Sequence, residues 1–236
     1  MRGRQVIDEY IREGRLSANR SQPIGAGSYG TVYQSDEPGY VIKQNHPQRF
    51  TDDLETETNL QAIAAELGIA PAIRSYERFP EGTQRIEMAD ATTNFEPHET
   101  LSDYPEAFDA VRVNQQLGQL ALKGVDLKDR HNRNILYNKM TGRPTQIDFG
   151  IADRVGGEDQ VQALAEATAD GLSAAGLPSI ASIYKATVFD LLAGGDVADA
   201  MDIAKQGFSR LQKITQPLDG AIPKSLAPPQ PGPSWL

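Results

Sequence analysis

The sequence predicts an α+β fold in two parts, a small β-rich lobe with one helix followed by a reduced helical lobe. Three observations carry this. Between residues 20 and 90, short β-branched and aromatic runs alternate with turn residues around a single helical period. From about residue 104 the periodicity turns helical. At 236 residues and 39% hydrophobic content, the chain is long and apolar enough to bury a core.

Residues 4–16 read as a helix with Val6, Ile7, Tyr10, Ile11 and Leu16 on one side, within an N-terminal extension over 1–19. Residues 22–34 read as a glycine turn between two strands. Ser35-Asp36-Glu37-Pro38-Gly39 is a turn, and Tyr40 to Lys43 a further strand. A helix is predicted over 51–67, with acids in its first turn and Leu54, Leu60, Ile63, Ala64 and Leu67 as its apolar set. Gly68-Ile69-Ala70-Pro71 ends it. Ile73 to Tyr76 and Arg85 to Met88 are strands around Pro80-Glu81-Gly82, which brings the first lobe to residue 90. The second lobe, 91–216, carries helical patterns at 105–123, 158–175 and 180–211. Six of the 15 prolines fall in 217–236, which reads as an extended, poorly ordered tail.

Composition closes off several classes. With no cysteine there are no disulfides, Cys zinc sites or Cys nucleophiles. No run approaches 18 uncharged apolar residues, so no membrane span is expected, and no secretory signal is expected at the N-terminus. A net charge of −9 argues against a general nucleic-acid binder. A soluble, monomeric cytoplasmic protein is expected, or an effector delivered into a host cell. His46 and His98 lack ligand spacing.

Four short motifs follow one another. They are Gly25-Ala26-Gly27-Ser28-Tyr29-Gly30-Thr31-Val32, Val41-Ile42-Lys43, Asp129-Arg130-His131-Asn132-Arg133-Asn134 and Asp148-Phe149-Gly150. Each is weak alone. Together they read as a device that holds ATP with divalent metal ions and moves a phosphoryl group. The glycine loop runs into Thr31-Val32-Tyr33, which favours strand–loop–strand over the strand–loop–helix of dinucleotide-binding folds. Its glycines let the backbone approach phosphate oxygens closely.

Alternation puts Val41 and Lys43 on one face of their strand, with Ile42 on the other. A lysine facing inward needs a partner, because burying a lone charge is costly. Phosphate oxygens and a helix carboxylate would serve. Glu57 is the first choice, since Leu60 and Ile63 follow it at helical spacing, and Glu55 is the reserve. Asp148 follows the short strand Thr145-Gln146-Ile147, and its carboxylate is a suitable hard ligand for Mg²⁺ or Mn²⁺. Gly150 is expected to provide the sharp turn.

On these motifs, from about residue 20 to 155, the chain resembles the protein-kinase-like superfamily, in the short form of minimal kinases of bacteria, phages or bacterial effectors. The resemblance implies the two-lobed kinase fold, with ATP bound by residues 20–90. It needs an Asp, four residues, then an Asn. Asp129 and Asn134 meet that spacing, whereas Asp126 of Asp126-Leu127-Lys128 does not. Asp129 would then orient the acceptor hydroxyl and take its proton, and Asn134 would hold a metal ion with Asp148. Asp126 reads as an exposed loop acid whose removal is near neutral. By the same resemblance Val32 and Val41 would cover adenine from above and Leu136 from below. The backbone of Glu87-Met88-Ala89 would bond the edge of the base.

The sequence also departs from the family. His131 stands where Ser/Thr protein kinases carry a lysine, as in kinases of aminoglycosides or choline, and no A-P-E-like segment follows Asp148. The leading expectation is a minimal Ser/Thr protein kinase acting on a protein hydroxyl. A small-molecule kinase, which His131 favours, is the first alternative. A pseudokinase or AMP-transferring member is the other, and the presence of Lys43, Asp129, Asn134 and Asp148 counts against simple loss of activity.

Overall fold

The computed structural model describes residues 23–26, 30–45, 54–80, 82–91, 95–97, 107–128, 130, 134–138 and 143–215. The helix expected over 4–16 and the tail from 217 lie outside these residues.

A five-stranded antiparallel sheet comes first, in the order β1-β2-β3-β5-β4. Its strands are β1 (Pro23–Ala26), β2 (Thr31–Gln34), β3 (Tyr40–Gln44), β4 (Ile73–Arg78) and β5 (Gln84–Ala89). Helix α1 (Leu54–Glu66) joins β3 to β4. As the central strand, β3 is buried on both faces: Val41, Ile42 and Lys43 are all inside. Leu54 of α1 packs against Val41, Ile86 and Met88 of the sheet.

Glu55 and Glu57 in the first turn of α1 suit the positive end of the helix dipole. The helix stops where Gly68 takes φ 70°. The amide of Ile69 then donates to the carbonyl of Ala64 at 2.9 Å, and that of Gly68 to Ala65 at 2.9 Å, closing a Schellman motif.

The second part carries β6 (Phe95–Pro97), α2 (Ala107–Leu122), β7 (Val125–Asp126), β8 (Ile135–Asn138), β9 (Arg143–Gln146) and β10 (Asp153–Arg154). Helices α3 (Gly157–Ala174), α4 (Pro178–Ala193) and α5 (Val197–Thr215) complete it. β6, β8 and β9 form one small antiparallel sheet, and β7 pairs with β10. Sequence patterning found the β9 segment only in part and the other short strands not at all. Two to four residues are too few to show a period of two.

The helix expected over 180–211 is two helices. Gly195 takes φ 81°, and the amide of Asp196 donates to Leu191 O at 2.9 Å, the same C-terminal motif that ends α1. Asp196 then caps α5, its Oδ1 accepting from the amide of Asp199 at 3.1 Å. The break folds α4 back against α5, so that the Tyr184 hydroxyl donates to Ala204 O at 3.2 Å. Val161, Leu164, Val188, Phe208 and Leu211 share the core between these helices. The whole is α+β, a β-rich part with one helix followed by a mainly helical part.

Candidate active site

The site is assembled from three distant stretches. β3 presents Lys43, which is buried. α1 presents Glu57, with 3% of its side chain exposed, while Glu55 points to solvent. Lys43 Nζ stands 2.6 Å from Glu57 Oε1 and 2.8 Å from Asp148 Oδ1. The second contact spans 105 residues of chain. Burial alone would lower Lys43, but the two carboxylates outweigh it and hold its ammonium above the ordinary range. Burial likewise pushes the Glu57 carboxyl up, opposed by Lys43 and by the backbone amide of Phe149, which donates to it.

β8 and β9 bring Asp148 and Asn134 alongside one another. Ile135 is paired with Gln146 in the ladder, and the amide of Ile147 donates to Asn134 O at 2.8 Å. Asn134 and Asp148 therefore sit at the same end of adjacent strands. β9 is itself held: Gln146 donates from its amide to Ile69 O at 2.8 Å and from its side chain to Gln116 at 3.1 Å.

Gly150 is not the strained residue of the turn. Asp148 takes the left-handed conformation, φ 62°, and is the sole non-glycine residue to do so among the described residues. Its Oδ1 accepts from the amide of Gly150 at 3.3 Å. Backbone strain of this kind persists only where surrounding structure over-determines it, and it clusters at functional sites. Phe149, 1% exposed, supplies that support. It shares one buried cluster with Leu60 and Ala64 of α1, Leu117 and Leu120 of α2, and Val125 of β7.

The nucleotide-side residues are partly in place. Gly25 and Ala26 lie on β1 and Val32 on β2, where Gly25 pairs with Val32, and Gly30 immediately precedes β2. Gly27, Ser28 and Tyr29 lie outside the described residues. At Gly30 a Cβ would stand 2.6 Å from Gln44 O, so the approach of β2 to β3 admits only glycine. Val41 and Leu136 are buried and Val32 half-buried.

The stretch Glu87-Met88-Ala89 is not a free edge. All three lie in β5 and pair with β3. The amide of Ala89 donates to Ala72 O at 2.9 Å, and that of Asp90 to Gly39 O at 2.8 Å. The Ala89 amide is thus committed to the sheet. The Glu87 side chain is taken up by the Ser35 hydroxyl, which donates to it, and by Arg74 at 3.7 Å.

Asp129 and His131 lie outside the described residues. Their neighbour Asp126 does not, and it is not an exposed loop acid. It sits buried on β7, paired with Asp153 of β10. Lys128 Nζ contacts its Oδ2 at 2.6 Å and Arg130 its Oδ1 at 2.7 Å. Burial would raise this carboxyl, but the hydrogen bonds from Lys128 and Arg130 outweigh it and hold it below the usual carboxylate range. With a cation on each oxygen, the Asp126 carboxylate is held in its charged form, which disfavours taking a proton from a substrate. Beside it a polar groove of 290 Å³ runs between Lys128 and Arg130 on one side and Asp159, Gln162 and Glu166 of α3 on the other.

The residues fit ATP with Mg²⁺. No group of three His, Cys, Asp or Glu among the described residues could hold a metal unaided. Mg²⁺ asks for less: one or two protein oxygens plus phosphates and water. Asp148, with 36% of its side chain exposed, offers such an oxygen, and the backbone of Asn134, just before β8, is bonded to the Ile147 amide next to it.

Fold and site together define the chain in outline as an α+β protein with a buried lysine–carboxylate cluster. No protein-family model matches it, and no curated protein does. Among solved structures it is similar to the kinase PK-1 of the Cydia pomonella granulovirus, with a TM-score of 0.45 and 17% identity. That match covers 65% of this chain and 60% of the viral kinase, less than two thirds of the latter's length. No helix of the described residues is long and apolar enough to cross a membrane.

Proposed function

We propose that this protein is an ATP-dependent phosphotransferase, and that it acts as a minimal protein kinase on Ser or Thr hydroxyls. One observation carries the reading: a single buried ammonium, Lys43, bridges Glu57 of α1 and Asp148, which lies 105 residues beyond Lys43 in the chain. A lysine so placed orients phosphate oxygens, and Glu57 orients the lysine. Asp148 and Asn134 present oxygens to Mg²⁺, which neutralises charge on the phosphates when bound. Asp129 accepts the proton of the attacking hydroxyl. Glycines of the loop between β1 and β2 let backbone amides reach the phosphates.

The protein acceptor rests on the shortness of the chain between Gly150 and α3, which begins at Gly157. That leaves little to enclose a small molecule. His131 favours the second reading, a small-molecule kinase. Incubation with ATP labelled at the α or γ position, with and without lysate, separates the readings. Label from the γ position on phosphoserine or phosphothreonine is expected. Label confined to a low-molecular-weight fraction replaces the protein-kinase reading with the small-molecule one, and label from the α position replaces both with AMP transfer.

A further inference from the structure

We propose that Asp126 is a positioning residue: by binding Lys128 and Arg130 through its two carboxylate oxygens, it anchors the chain on both sides of position 129 without any phosphorylation. The proposal rests on the reading of Asp129 as the acceptor-side base.

The anchor is itself fixed. Asp126 lies on β7, where Asp126 pairs with Asp153 and Val125 with Arg154. The amide of Val155 donates to Gly124 O at 2.9 Å, and Arg154 donates to Lys123 O at 2.9 Å, so β7 is held from its own start. Only 8% of the Asp126 side chain is exposed, against 25% of Arg130 and 45% of Lys128, so the Arg130 pair is the less screened of the two. Arg130 is gripped three ways: by Asp126 at 2.7 Å, by its Nε donating to Leu127 O at 3.0 Å, and by Glu166 of α3 at 3.7 Å. Lys128 and Arg130, the described residues on either side of position 129, are thus both tied to Asp126.

The cations are already met by carboxylates. Lys128 and Arg130 face Asp126 and Glu166, and Asp153 and Asp159 also act on Lys128. In enzymes switched by phosphorylation, a phosphate added to a loop satisfies such a basic cluster and orders it. Here a carboxylate of the chain's own β7 occupies that place permanently. The cluster therefore asks for no added anion.

The test compares the wild type with Asp126→Asn and Asp126→Glu. Release of labelled phosphate from γ-labelled ATP with Mg²⁺ gives turnover and KM. The ATP-induced rise in melting temperature gives nucleotide binding, and hydrogen exchange of the peptide spanning 127–134 reads the anchor directly. Asp126→Asn is expected to lose turnover about 10- to 100-fold at unchanged KM for ATP, as misplacement of a reacting group does. It keeps the ATP-induced shift, and its exchange quickens in 127–134 alone. Asp126→Glu recovers part of the turnover, and phosphatase treatment leaves the wild type unchanged. Unaltered turnover in Asp126→Asn overturns the proposal. So does exchange that quickens throughout β7, β10 and α3 with loss of the ATP shift, the mark of a merely structural carboxylate. If the wild type neither binds nor hydrolyses ATP, the phosphotransferase reading falls by itself. Unchanged exchange in 127–134 would still overturn the anchor.

Discussion

Lys43 Nζ lies 2.8 Å from Asp148 Oδ1 although 105 residues separate the two in the chain. The contact joins the central strand of the sheet to the turn after β9. Because Lys43 also holds Glu57, Asp148 can turn toward a metal ion without leaving the ammonium unpaired. Addition of ATP with Mg²⁺ is therefore expected to raise the melting temperature of the wild type. No shift at millimolar nucleotide and metal would sink the ATP reading.

Removing either partner of Lys43 should have a different cost. Lys43→Met leaves Glu57 buried without its cation, which is expected to destabilise by about 3–5 kcal/mol and to abolish transfer. Adding Glu57→Leu should restore most of the stability and none of the activity. Asp148→Ala abolishes transfer at about 1 kcal/mol or less, since Asp148 is a third exposed and Lys43 keeps Glu57. Urea unfolding of the variants checks the order.

Asp148 also stores backbone strain at φ 62°. Asp148→Gly is expected to be more stable than Asp148→Ala by about 1 kcal/mol, because only glycine adopts that conformation without cost. Both should be inactive. Equal stability of the two would show that the turn is unstrained.

Asp126 and Asp129 should part company. Asp129→Ala is expected to lose about 10²- to 10⁴-fold in turnover with its fold intact. Asp126→Asn lowers the melting temperature. Its carboxyl is held lower in the folded than in the unfolded chain, so its stabilisation is present above the ordinary carboxylate value and lost as pH falls. The gap in melting temperature between wild type and Asp126→Asn should hold from about pH 5 to 8 and close below about pH 4. A gap that persists under acid would mean the charge is not its source.

Gly118 of α2 faces Phe208 of α5, and a Cβ there would stand 2.2 Å from the ring. Phe208 is 2% exposed and has nowhere to turn. Gly118→Ala is expected to cost about 1–3 kcal/mol as overpacking, relieved by Phe208→Leu in the same chain. Deleting residues 218–236, by contrast, should leave melting unchanged, because their five prolines lack backbone donors. A large fall on truncation would show that they pack on the core.

Much of this molecule is local and was legible as such. The apolar spacing behind Glu57 put a carboxylate on the inner face of α1, alternation put Lys43 inward on β3, and Asp148-Phe149-Gly150 marked its own turn. Gly68-Ile69-Ala70-Pro71 announced the end of α1 because a left-handed glycine cap is a local event. Gly194-Gly195-Asp196 carries the same signal followed by a cap residue, yet apolar spacing on both sides concealed the break. What only the tertiary structure decided depends on partners far along the chain. Asp126 was indistinguishable from a loop acid until β10 covered its backbone and Arg130 folded back onto it. The amide of Ala89 could not be known to be spent until Ala72 lay beside it. Strain at Asp148 rather than Gly150 follows from Phe149, which anchors the turn in a core shared by α1, α2 and β7. Hydrophobic period and turn chemistry are written residue by residue. Which charges end up buried together is set by which surfaces close over them.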